Sequence, residues 1–137
     1  MDIPKIFFAD LYNANDPERA ASLAESLAAD DFVDHSPAFG ATPDKAGFVQ
    51  TVAYINATFT QQYVVEQYMQ QGTMHVGIWR SVVRHTGPFM GMAPTGRAFD
   101  VQGITVYQIE DGKVKAHWEQ FDVVGILQNI GIININV

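Results

Sequence analysis

The 137-residue chain contains no cysteine, which excludes disulfides, thiolate nucleophiles and cysteine-ligated metals. It is also short of cations. Eight Lys and Arg against fifteen Asp and Glu leave a net charge of −7, so a phosphate backbone or an anionic membrane repels the molecule as a whole. Nucleic acid is therefore not an expected partner. No run approaches the roughly 18 to 20 apolar residues of a spanning helix, and the short apolar patch near Met1 is broken by Asp2, Lys5 and Asp10. The expectation is a cytoplasmic protein with no membrane partner. The four histidines show no ligand spacing such as His-Glu-x-x-His. Gly87, Gly91 and Gly96 are interrupted by Pro88 and Pro94 and form no phosphate loop. Neither a metal nor an organic cofactor is expected.

What the chain does have is apolar substance, 47% of its residues, enough to bury one core, and a single domain over residues 1–137 is expected. Ile3, Phe7 and Leu11 recur at i, i+4, i+8, with Phe8 and Tyr12 beside them, the stripe of an amphipathic helix. Asp16 and Pro17 read as the cap and first turn of a second helix that buries Ala20, Leu23, Ala24 and Leu27. A short strand is expected at Asp31 to His35. Thr42 and Pro43 suggest the start of a third helix with Phe48, Val52, Ile55 and Phe59 on one face.

From Gln61 the apolar period changes from helical to two, and β-branched and aromatic residues accumulate. Strands are expected at about Met74 to Arg84, Ala98 to Ile109 and Lys113 to Phe121, the last two joined by a hairpin at Asp111-Gly112. A short helix from Val123 to Ile130 follows. Helices first and a meander of antiparallel strands afterwards imply an α+β domain with helices packed on one face of a curved sheet. A pocket is expected between the concave face and the helices. The isoleucine-rich tail, Ile130, Ile132, Ile133, Ile135 and Val137, is too apolar to be left in water and is expected to pack against the mouth of the pocket or a partner subunit; with the apolar second face of the sheet, it makes a second copy, in a homodimer or tetramer, the expected partner.

Four segments, DFVDHSP at 31 to 37, HTGPFMGMAPTGR at 85 to 97, GITVYQIEDGKV at 103 to 114 and HWEQFDVVGILQNIG at 117 to 131, resemble the SnoaL-like polyketide cyclases of the NTF2-like, cystatin-like superfamily. The resemblance implies a cone-shaped α+β fold and an intramolecular aldol condensation of a polyketide-type ester, without metal or organic cofactor. It implies an aspartate acid/base after the last long strand, a place that Asp122 matches. It also implies polar side chains, a histidine among them, on the preceding strand, where this chain has Thr105, Tyr107 and Gln108.

Regular alternation along the last strand puts Val114, Ala116, Trp118, Gln120 and Asp122 on one face and Lys115, His117, Glu119 and Phe121 on the other. The Asp122 face is the more apolar, so burial there is expected to raise that carboxyl toward neutrality and suit it to proton transfer. Asp122 also stands where an aspartate commonly caps a helix. The expected site has Asp122 as the acid/base, with His35, Tyr12, Trp118, Gln120 and Tyr107 shaping or polarising the pocket around a hydrophobic small molecule. His117 is expected on the outer face unless a bulge re-aims it. The alternative is a non-catalytic ligand-binding or assembly protein, or an isomerase or hydrolase on the same fold.

Overall fold

A computed structural model describes residues 1–135. The chain opens with a π-helical segment, Pro4–Ala9, that continues as α1 (Asp10–Asn13). The wider π turn brings successive pairs to one side, and Phe7, Phe8, Leu11 and Tyr12 are all buried. Helix α2 (Pro17–Leu27) begins as expected, with the Asp16 carboxylate accepting from the Glu18 and Arg19 amides. Strand β1 (Ala28–Asp34) starts three residues earlier than expected.

Helix α3 (Lys45–Thr58) is capped by Asp44, which accepts from the Gly47 amide at 2.9 Å. Thr42 is not the cap, because its hydroxyl is committed to Asp44 at 2.7 Å. Gly47 is required here: a Cβ would lie 1.9 Å from the Thr42 carbonyl oxygen.

Strands β2 (Phe59–Gln71), β3 (Met74–His85), β4 (Ala98–Glu110) and β5 (Lys113–Phe121) follow, and α4 (Val123–Asn129) closes the domain. Asp111 (φ 52) and Gly112 (φ 73) form the tight β4–β5 turn, both in the left-handed region that its twist demands. The sheet order is β1-β5-β4-β3-β2, antiparallel except for the parallel β1–β5 pair. Edge strand β2 is partly paired by side chains, since Asn13 and Asn15 hydrogen-bond the backbone of Tyr63 and Gln61. The core lies between the helices and the inner sheet face. Of the tail, Ile130 is buried, Ile132 and Ile133 are half-buried, Ile135 is exposed, and Val137 lies outside the described residues.

The β4–β5 register carries the feature that decides the site. Gln108 pairs with Ala116 but Ile109 pairs with Val114, so Lys115 is an extra, bulged residue. Val114 faces inward at one end of β5. Beyond the bulge, His117, Glu119 and Phe121 face inward instead, reversing the orientation expected from unbroken alternation.

Candidate functional site

The bulge places His117 opposite Tyr107 on the inner face, where both are buried and stacked at 5.2 Å. Phe48 packs edge-on against the imidazole from α3. Asp34, at the end of β1, reaches the ring from the other side, with Oδ1 3.0 Å from Nδ1. The Ser36 amide donates to the same Asp34 oxygen at 2.8 Å, and the Ser36 hydroxyl accepts from the Glu119 amide at 3.0 Å. One loop residue thus ties the ends of β1 and β5 together around two carboxylates.

Glu119 faces the cavity between sheet and helices, its side chain 11% exposed. The Trp79 indole N–H donates to Thr105 Oγ1 at 2.9 Å, and Thr105 donates to Glu119 Oε1 at 2.6 Å. Since an indole N–H can only donate, Thr105 must accept from it and spend its single proton on Glu119. Glu119 Oε1 is thereby an acceptor. On the far side, His117 Nε2 lies 3.9 Å from Glu119 Oε1, close enough for attraction and too far for a hydrogen bond.

Burial pulls the His117 pKa down, but the Asp34 and Glu119 carboxylates flanking it outweigh burial and push it up to about 9. The imidazole is accordingly a cation at neutral pH, with one N–H held by Asp34 and the other directed toward the carboxylate in the cavity. Burial first, with the Glu119 carboxylate adding to it in each case, holds the hydroxyls of Tyr12, Tyr63 and Tyr107 well above their ordinary pKa. They remain proton donors throughout the neutral range. The Tyr63 hydroxyl, the Tyr107 hydroxyl and His117 Nε2 are all buried without a hydrogen-bond partner among the described residues. Such groups are costly unless something binds them.

Apart from Gln61 and the phenols, the rest of the cavity is apolar, walled by Ile55, Phe59, Val83, Val101 and Phe121. It holds about 50 Å³, room for a few water molecules. Phe39 lines the cavity from its exposed side, 38% exposed and set edge-on to Phe89 and Phe121. Its φ of 54 is a strained value for a bulky residue.

The expected site residues divide between the two faces. Tyr12 lines the cavity and Tyr107 stands beside it, buried. Trp118 lies on the outer face, stacked on exposed His35 at 4.6 Å with 5° between the planes. Gln120 is exposed too, and with His35 it borders a shallow outer recess that Glu119 also reaches. Asp122 is not buried in an apolar pocket: it is exposed and caps α4, accepting from the Gly125 amide at 2.8 Å. The physical reason is the bulge at Lys115. Asp34 and Glu119 escaped the sequence reading. The signal for Glu119 is the inward spacing His117, Glu119, Phe121, visible only once the bulge is placed; Asp34 has no such signal.

The pattern of the SnoaL-like polyketide cyclase family matches residues 5–130, nearly the whole chain. The chain belongs to this family. Among relatives of this SnoaL-like protein, the nogalonic acid methyl ester cyclase of Streptomyces nogalater is 30% identical over 86 residues, covering 61% of this chain and 64% of the relative. The aklanonic acid methyl ester cyclase AcmA of Streptomyces galilaeus is 33% identical over 89 residues, covering 61% of this chain and 60% of the relative. The match thus spans less than two thirds of either relative's length. Two solved structures share the fold. TsrD from Streptomyces laurentii has a TM-score of 0.76 at 22% identity, with 96% of each chain covered. IdmH from Streptomyces antibioticus has a TM-score of 0.74 at 24% identity, covering 96% of this chain and 99% of that one. The SnoaL-like domain is an α+β, NTF2-like fold, as expected. Among the described residues no helix is long and apolar enough to cross a membrane, and no three His, Asp or Glu converge closely enough to hold a metal ion.

Proposed function

We propose that this protein is a cofactor-independent cyclase that closes a ring by intramolecular aldol condensation of a hydrophobic polyketide-type methyl ester, of the kind named for its relatives. The observation that carries this reading is Glu119: a carboxylate lining a largely apolar cavity, with a buried imidazolium 3.9 Å behind it and the unpartnered Tyr63 phenol on the same lining.

In the proposed reaction Glu119, rather than Asp122, takes the proton from the carbon between two carbonyls. The resulting carbanion attacks a ketone carbon of the same molecule. One carbon–carbon bond forms as the ketone π bond breaks, and the alkoxide receives the proton that Glu119 removed. Atoms are conserved and no oxidant or reductant is needed. The Nε2–H of His117 and the hydroxyls of Tyr63 and Tyr107 are donors for the oxygens on which charge develops. General acid–base assistance contributes ~100- to 10,000-fold, and holding the two carbons of one folded chain together adds to it. A multi-ring guest exceeds the closed cavity, so entry takes place past Phe39.

The expected second copy belongs to this proposal. Val33, Val64, Val82 and Ile104 are 45 to 58% exposed on strands, apolar surface that association covers. Sedimentation at micromolar concentration tests it: a single species of one chain's mass excludes the dimer.

The chemistry is tested by proton exchange. Incubated in D2O with an anthraquinone methyl ester carrying an open β-keto side chain, the protein is expected to exchange the acidic carbon's hydrogen faster than buffer does, and Glu119→Gln is expected not to. Exchange by the variant at the native rate rejects Glu119 as the base.

A further inference from the structure

We infer that Gln61 is a second polar anchor of the cavity, a positioning residue that grips an acceptor oxygen at the end of the guest remote from Glu119. The inference deepens the proposed function and takes from it only the elongated, apolar, multi-ring guest.

Among the described residues, Glu119 and Gln61 bring the only carboxylate and the only carboxamide to a wall made otherwise of aliphatic and aromatic side chains. Gln61 is 9% exposed and held twice. Its backbone is clamped by Asn15, whose Oδ1 accepts from the Gln61 amide at 2.7 Å and whose Nδ2 donates to the Gln61 carbonyl at 3.3 Å. Its side-chain Oε1 accepts from the buried Ser81 hydroxyl at 2.9 Å. That is the carboxamide's single side-chain hydrogen bond among the described residues; Gln61 lines the cavity, and its Nε2 donors are unspent. An amide donor that lines an otherwise mostly apolar wall and has no protein partner among the described residues gains a directional hydrogen bond from a bound acceptor. The two clamps mean that little side-chain freedom remains to be lost on binding.

The sheet register gives the spacing. Glu119 bonds Thr105 on β4, while Gln61 bonds Ser81, whose partner across the sheet is Val101 on the same strand. Thr105 and Val101 are four residues apart, roughly 13 Å along the strand. The two groups are thus anchored at different points along β4, and a guest that meets both, entering past Phe39, carries a carbonyl or ether oxygen set apart from its reacting carbons.

The test uses 2-acetylanthracene and 2-ethylanthracene, nearly equal in shape and different in one acceptor oxygen. Binding is read by quenching of Trp79 in a Trp118→Phe background, which leaves one tryptophan. The expected result is five- to tenfold tighter binding of the acetyl probe to the parent protein. Gln61→Leu is expected to erase that preference while leaving the ethyl probe's affinity within twofold, and Gln61→Glu to reverse it. Ser81→Ala should weaken it. An equal preference in Gln61→Leu, or no binding of either probe to the parent protein, overturns the anchor. In turnover, Gln61→Leu should raise KM about tenfold with kcat within twofold. If the parent protein closes no ring, the cyclase reading fails, while the probe preference still decides the anchor.

Discussion

Raising pH from 6.5 to 9 should weaken this fold through one residue. His117 has an ordinary pKa of 6.5 when unfolded and about 9 when folded, because its attraction to Asp34 and Glu119 exceeds the cost of burying its charge. A folded-state pKa raised above the unfolded value stabilises fully below pH 6.5, and the contribution is lost as pH rises through about 9. At ~1.4 kcal/mol for each tenfold change in proton affinity, the window is worth about 3 kcal/mol. Urea unfolding followed by tryptophan fluorescence at pH 6, 7, 8 and 9.5 measures it. His117→Gln isolates the contribution, since the other groups titrate alike in both proteins. The expected result is a stability difference that shrinks by about 3 kcal/mol across the window. Asp34→Asn should cost about 3 to 5 kcal/mol at pH 7, because it strands a buried cation. Parallel profiles for native protein and His117→Gln, or an NMR titration placing His117 at 6.5 or below, would show that the flanking carboxylates do not hold His117 as a cation.

Three further outcomes check other links. Asp122→Ala removes the α4 cap and should lower stability by about 1 kcal/mol, a drop of roughly 4 °C in Tm by calorimetry. Gly103→Ala places a methyl 2.3 Å from the Trp79 ring and 2.9 Å from the Gln120 carbonyl. It should cost about 1 to 3 kcal/mol and displace the indole from Thr105, seen as a shifted Trp79 emission in a Trp118→Phe background. Phe39→Ala opens the mouth and should raise acrylamide quenching of Trp79 several-fold in that same background; unchanged quenching removes Phe39 from the mouth.

Much of the architecture was legible because local signals agreed. Asp16-Pro17 starts α2, Asp111-Gly112 forms the β4–β5 turn, and the bounds of β5 coincide with the alternating run Lys113 to Phe121. The start of α3 was misplaced because Thr42-Pro43 carries the same cap signature as the true cap, Asp44. The site was half legible. Tyr12 and Tyr107 reach the cavity region because helix stripe and strand alternation decide their facing. Trp118, Gln120 and Asp122 were assigned inward because nothing in KVKAHWEQF marks Lys115 as an extra residue: bulges are set by pairing with β4, a non-local fact. The Asp34–His117 contact joins residues 83 apart and has no local signature either.

In the proposed mechanism proton transfer belongs to the carboxylate inside the cavity and not to the one at the head of α4. Ring closure of the open methyl ester by Glu119→Gln and Asp122→Asn, assayed side by side at pH 7, tests it most directly. The expected result is loss of at least a hundredfold in kcat for Glu119→Gln and less than fivefold for Asp122→Asn. The reverse ranking, with Glu119→Gln active and Asp122→Asn dead but folded, contradicts it.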